Sequence, residues 1–212
     1  LGERGFHEGF AHNPNPKLIV EKLGENFKID TASLKKWSVG SPIQSMMDAI
    51  EYLLKNNKFD HKDITELVVD IPSDRYHIVN DREILSISAQ HLIAVHLIKK
   101  KMGYVEAHDE KLFDDPEVVS LRKKIKAVSS DELAIARPER QSKIRIKFSN
   151  NKELFYHAKS VRGTPDNPMD EKDITAKSKR LLEVFKTSQT DDLIDLIPVS
   201  YTHLTLPTIF RV

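Results

Sequence analysis

Two adjacent lysines and a tryptophan, Lys35, Lys36 and Trp37, stand just ahead of a helix in the stretch LKKWSVGSPIQSMMDAI, residues 34–50. Charged side chains are rarely buried without a partner, whereas Trp is highly buried on average. The segment therefore sets cations against a partly dry wall, an arrangement that suits an anion. It equally suits a solvated lysine pair at a surface turn, and the residues alone favour that blander outcome. Other chemically capable groups are less well placed. His91 and His96 are five apart and do not share a helix face, which argues against a metal pair of the i, i+4 type. They are expected to be ordinary, partly buried histidines. His7 and His12 fall in a loop with no carboxylate cluster around them. The chain has no cysteine, which excludes disulfides, thiolate metal sites and a cysteine nucleophile. It has no glycine-rich phosphate loop and no dinucleotide fingerprint, so no cofactor and no metal are expected.

Composition sets the scale. Among 212 residues, 33 Lys and Arg balance 32 Asp and Glu, so no global field draws the protein to nucleic acid or to an anionic membrane. Any anion must be recognised locally. No apolar run approaches the roughly 20 residues of a membrane span. The first residues, LGERGFHEGF, lack the charged and apolar regions of a secretory signal. A soluble, cytoplasmic protein is expected.

The elements that must position these groups are legible as an α+β pattern. Leu18, Ile19 and Leu23 predict a short helix after a Pro-Asn-Pro loop. Ser41 and Pro42 predict the N-cap and first turn of a helix reaching Asn56, with Ile43, Met46, Met47, Ile50, Leu53 and Leu54 on its core face. The segments ITELVVDIPSD and RYHIVND read as strands broken around Pro72. SISAQHLIAVHLIKKKMG predicts a helix burying Leu92, Val95 and Leu97, closed by Lys99 to Lys101 and Gly103. DDPEVVSLRKKIKAV predicts a short helix running toward a strand. In SKIRIKFSNNKELFYHAKS, Ile144, Ile146 and Phe148 alternate with Lys143, Arg145 and Lys147, and Asn150-Asn151 turns the chain into a hairpin. Asp170 is placed to cap a last helix with Ile174, Leu181, Leu182 and Phe185 in one stripe. The run at 199–208 back-translates to a transposon-type sequencing adapter, so residues 199–212 are set aside as read-through.

Three segments in order, SLKKWSVGSPIQSMMDAIEYL, VNDREILSISAQHLIAV and ARPERQSKIRIKFSNNKELFYHAKSVRGTPDNPMDEKDITAKSKRLL, together resemble the MmgE/PrpD family. That family includes 2-methylcitrate dehydratase, cis-aconitate decarboxylase and iminodisuccinate epimerase. The resemblance implies a large all-helical domain, a smaller α/β lid domain and an active site in the cleft between them. Residues 1–32 would end a helical-domain segment, 33–161 would form the lid, and 162–198 would return to the helical domain. The chain would then be a C-terminal fragment of a homodimeric, cofactor-independent lyase or isomerase that removes a proton next to a carboxylate. Lys35 matches the family's active-site lysine, suited to hold a carboxylate of a di- or tricarboxylate substrate and to stabilise an enolate-like anion. Gln44 falls near the family's usual histidine and Trp37 replaces its tyrosine, so both are expected to contact substrate. The helix start at Ser41 to Gln44 would add free backbone N–H groups. Lys36 stands where the family commonly has proline and is expected to face solvent. Tyr76 is either the family's catalytic tyrosine or a buried strand residue, and Asn80 and Arg82 are candidate carboxylate ligands. The alternative from another class is a non-catalytic binding or scaffolding module.

Overall fold

The computed structural model describes residues 17–25 and 27–182, together with residues 13, 15, 184, 189 and 191–194. His7, His12, Phe185 and the run 199–212, singled out in the sequence, lie outside the described residues. By internal contacts the chain divides into two units, Leu1–Ala32 and Ser33–Val212. In the first, helix α1 (Lys17–Val20) buries nothing, and Leu18, Ile19, Val20 and Leu23 are all exposed.

In the second unit a 3-10 turn over Ser41–Ile43, with Pro42 fixing its start, runs into α2 (Gln44–Asn56). The cap position is Gly40 rather than Ser41. Met46, Met47, Ala49 and Ile50 on α2 are completely buried. Strand β1 (Ile64–Pro72) leads straight into α3 (Ser73–Val79), which replaces the second strand expected over RYHIVND. A seven-residue run is too short for period to separate strand from helix. Pro72 at the cap position and Asp74 in the first turn decide for a helix start.

Helix α4 (Ala89–Lys99) is buried at every position from Ala89 to Leu97, so it runs through the core instead of along its surface. Lys100 in the left-handed conformation ends it, ahead of the expected Gly103. Helices α5 (Tyr104–His108) and α6 (Pro116–Arg122) follow, the latter capped by Asp115, whose Oδ1 accepts the N–H groups of Glu117 at 2.9 Å and Val118 at 3.1 Å. Strand β2 (Ile125–Ser130), helix α7 (Asp131–Ile135), the hairpin of β3 (Ser142–Phe148) and β4 (Glu153–Ala158), and α8 (Glu171–Leu182) complete the described order.

The four strands form one mixed sheet in the order β2-β1-β3-β4. β1 and β2 are parallel, β1–β3 and β3–β4 antiparallel. A parallel pair needs a crossover, and residues 73–124 supply it with α3 to α6. One face packs on α2 and α4 through Leu67, Val69 and Ile71 of β1 and Ile144, Ile146 and Phe148 of β3. The other carries the alternating charges: Glu66 holds Lys126 at 2.6 Å and Lys147 at 3.3 Å, and Arg145 meets Glu153 at 3.4 Å. Such exposed pairs contribute about 0–1 kcal/mol each. The α+β architecture and the hairpin are as the alternation implied. The stripe expected on α8 is not buried: Ile174 is exposed, and Leu181 and Leu182 are only half-buried. No helix among the described residues is long and apolar enough to cross a membrane.

His91 and His96 are both fully buried, more than the sequence suggested. Both ring nitrogens of His91, and Nδ1 of His96, are sealed without a hydrogen-bond partner. Burial holds both pKa values down to about 4, with Arg122 adding to the effect at His91. A depressed histidine pKa means that the unfolded chain takes up the proton more readily. This contribution to stability is therefore intact above the ordinary value of 6.5 and is lost as pH falls toward 4. The melting temperature should decline across that window. His91→Leu, which gives up no hydrogen bond, should be tolerated at pH 7 and should reduce the decline. A melting temperature flat over that range, or an unchanged slope in the variant, would contradict the assignment.

Candidate functional site

Lys35 is exposed and lies on the rim of a pocket of about 410 Å³. The same pocket is lined by Trp37, Ser86, Tyr104, His108 and Lys177. Lys177, on α8, donates its ammonium to the backbone carbonyl of Lys35 across 142 residues of sequence. Burial, then the charges of Lys35 and Arg180, lower the Lys177 pKa from its ordinary value. His108 stacks on Tyr104 with ring centres 4.4 Å apart, and its Nδ1 lies 2.8 Å from the Tyr104 carbonyl. Two ammonium groups, an imidazole, a phenol and a hydroxyl thus share one opening.

The wall behind them is held by α2. Trp37 is 3% exposed, and its indole N–H donates to Asp48 Oδ1 at 2.8 Å. Asp48 Oδ2 accepts the backbone N–H of Arg162 at 2.9 Å. Burial raises the Asp48 pKa; the hydrogen bonds from Arg162 and Trp37 oppose that, as does the charge of Lys36. Gln44 clamps the loop one turn earlier. Its Oε1 accepts Trp37 N–H at 3.1 Å, and its amide nitrogen donates to the carbonyls of Trp37 at 2.9 Å and Val39 at 3.1 Å. Both ends of that amide are occupied and the residue is buried, so Gln44 shapes the loop and offers nothing to a ligand in this conformation. Trp37 likewise contributes an apolar wall, its one polar atom already committed.

Lys36 does not face solvent as expected. Lys36 is half-buried, paired with Glu51, with its ammonium 4.5 Å from the centre of the Trp37 ring. Glu51, one helical turn beyond Asp48, supplies the counter-charge that makes this burial tolerable. The expected free N–H groups at the helix start are not presented either. Ile43 N–H bonds the Gly40 carbonyl at 3.0 Å, that of Gln44 bonds Ser41, and Ile43 and Gln44 are buried. Tyr76 sits half-buried on α3 against the core, and Arg82 is exposed in the following loop. Neither lines the Lys35 pocket. Asn80 Oδ1 accepts from Gln90 at 2.7 Å, and Gln90 in turn accepts the Asp81 N–H at 2.9 Å. Among the described residues no group of three His, Asp or Glu could hold a metal ion. The residues that the sequence did not reveal, Ser86, Tyr104, His108 and Lys177, are brought to Lys35 from three separate segments. No local pattern could have marked them.

The loop after β4 locks this wall in place. Leu34 N–H bonds the Gly163 carbonyl and Gly163 N–H bonds the Asn167 carbonyl, both at 2.7 Å. Gly163 has φ +94°, and a Cβ there would fall 1.8 Å from the Leu34 carbonyl oxygen. The Arg162 guanidinium joins Asp173 on α8 and Asn167 in the loop. Asp48→Ala should strand the Trp37 and Arg162 N–H groups, lower unfolding stability by about 2–3 kcal/mol, and shift the emission of the chain's only tryptophan to longer wavelength. A variant with the wild-type urea midpoint and emission maximum would show that the carboxylate does not organise the wall.

The profile of the MmgE/PrpD C-terminal domain matches residues 37–198. A search of curated proteins found no match. The matched span opens on Trp37 itself and takes in Gln44, Asp48, the Arg162–Asn167 loop and α8, which are the groups that build the wall. Lys35 lies two residues ahead of it. With well over half of its length covered, the chain belongs to the MmgE/PrpD family, through that family's C-terminal domain.

Proposed function

We propose that the protein is the lid part of a cytoplasmic, homodimeric lyase or isomerase acting on a small di- or tricarboxylate, and that Lys35 is the group that meets the substrate's developing charge. The supporting observation is that Lys35 and Lys177 share one pocket, where burial first, and then the charges of Lys35 and the nearby Arg180, lower the Lys177 pKa. Cations gathered in a partly dry place without a carboxylate repel one another, and a polycarboxylate relieves that repulsion. Family membership supports a reaction that starts with removal of a proton next to a carboxylate, then loss of water, loss of CO₂ or reprotonation. In each case negative charge accumulates on the carboxylate next to the reacting carbon. An ammonium fixed beside it stabilises the transition state more than the ground state. The Lys177 bond to the Lys35 carbonyl fixes the backbone from which that ammonium projects.

The test is Lys35→Met in the complete enzyme, assayed with cis-aconitate, 2-methylcitrate and iminodisuccinate. The stem volume is kept and the charge removed. The expected loss falls on kcat/KM by about 10²–10³-fold, with the melting temperature almost unchanged because Lys35 is exposed. Lys36→Met should instead lower the melting temperature, since it removes a half-buried partner of Glu51. Full activity in Lys35→Met, or a loss accounted for by unfolding, would refute the catalytic assignment. Absence of turnover by the wild-type enzyme on all three substrates would favour a non-catalytic module.

A further inference from the structure

A second cavity, of about 470 Å³, is also lined by Trp37 but not by Lys35. It forms where the C-terminal ends of α2 and α4 meet α8. The end of α2 contributes Lys55 and the following Lys58, the end of α4 contributes Lys100 and Lys101, and α8 contributes Arg180. Lysines at helix C-termini complement the helix dipole, which accounts for one or two of them. Five cations around one opening exceed that need, because among the described residues Glu51 is the one carboxylate lining it and already holds Lys36 and Lys55. Lys101 is paired with Glu106 at 2.7 Å. Among the described residues, Lys58 and Lys100 form no ion pair, and Arg180 spends only its Nε, on the Ala176 carbonyl at 3.2 Å. Lys100 acts on the Asp60 carboxylate only through its charge, without an ion pair, so these cations can still meet a ligand.

A second observation points the same way. His96 lines this cavity although it is 2% exposed overall, and no hydrogen bond satisfies its ring. Its Nδ1 is sealed. With a pKa held at about 4 by burial, the ring is neutral at pH 7. A neutral imidazole has one N–H donor, and a polar side chain this deeply buried without a partner is uncommon. Besides Asn57, the rest of the described wall is apolar, built from Trp37, Leu54, Phe59 and Met102. Cations at the rim over an apolar wall make a local, low-dielectric site in which charge-assisted hydrogen bonds are strong.

We infer that this cavity is a second anion site, separate from the Lys35 pocket, which binds a small oxyanion of two or more negative charges. Phosphate and carboxylate groups share the chemistry that the rim recognises. An occupant would lie against Trp37. It would also compete with Glu51 for Lys55, and Glu51 is the residue that holds Lys36 over the Trp37 ring.

The chain has a single tryptophan, which lines both pockets, so its emission reports on anion binding at either and the variants below assign the signal. The full chain is titrated with pyrophosphate, with citrate and with acetate, and binding heats are measured in parallel. Pyrophosphate or citrate should give a saturable change in emission that weakens with added salt, and acetate should give none. Whichever of the two binds more tightly shows whether phosphate or carboxylate is preferred. The double variant Lys100→Glu, Arg180→Glu should raise Kd about tenfold or more. Both side chains are exposed, and circular dichroism checks that the fold survives. If it does not, the milder Lys100→Gln and Arg180→Gln variants should each still weaken binding. Lys35→Met should leave this binding intact. The inference falls if neither polyanion gives a saturable emission change or binding heat, or if folded variants bind like the wild type. It also falls if Lys35→Met abolishes binding while the double variant retains it, which would place the anion in the Lys35 pocket.

Discussion

A single carboxylate, that of Asp48, joins three parts of the chain that are far apart in sequence. One oxygen takes the Trp37 indole N–H and the other takes the backbone N–H of Arg162, while the residue itself is fixed on α2. Removing a carboxylate from water is costly, and the raised Asp48 pKa is the mark of that cost. Two well-aligned donors and the nearby Lys36 offset it enough for the group to persist. Because those donors belong to the loop before α2 and to the loop after β4, the interaction closes the second unit on itself. It sets where Trp37 lies, hence where the chain around Lys35 runs, and where the 162–167 loop delivers α8.

Around this bond the structure sorts its positive charges by where counter-charge is available. Glu51, three residues after Asp48, draws Lys36 inward onto the Trp37 ring. Asp173 takes Arg162. Among the described residues, Lys35 and Lys177 find no carboxylate in the pocket that they share. Trp37 lines both that pocket and the cationic cavity. A protein of almost neutral net charge has in this way concentrated unpaired cations in two places while laying balanced pairs along the outer face of its sheet.

The glycines at two junctions show how narrow the tolerances are. Gly40 donates to the Ser86 carbonyl at 2.7 Å, and a Cβ would stand 2.7 Å from the Ile87 side chain. At Gly163 both the left-handed backbone and the closeness of the Leu34 carbonyl require glycine. Each glycine permits two segments distant in sequence to touch, and the contact of Gly40 with Ser86 and Ile87 lies in the wall of the Lys35 pocket.

Periodicity alone determined most of the architecture: the α2 core face, the buried α4, the helix leading into β2, and the hairpin of β3 and β4 were legible because apolar residues repeat at helical or strand spacing. The order of motifs determined the family. The run RYHIVND went wrong because seven residues fit either period, and the chain's entry from Pro72 settled it as a helix. The roles of Lys36 and Gln44 were beyond reach because they depend on partners 15 and 7 residues away, Glu51 for the one and the Trp37 backbone for the other. Lys177, Tyr104 and His108 carried no local signal at all. Spacing in sequence encodes which face a side chain takes, but whether a charge lies beside a partner, in water or in a cavity is a sum over neighbours that only the folded chain brings together.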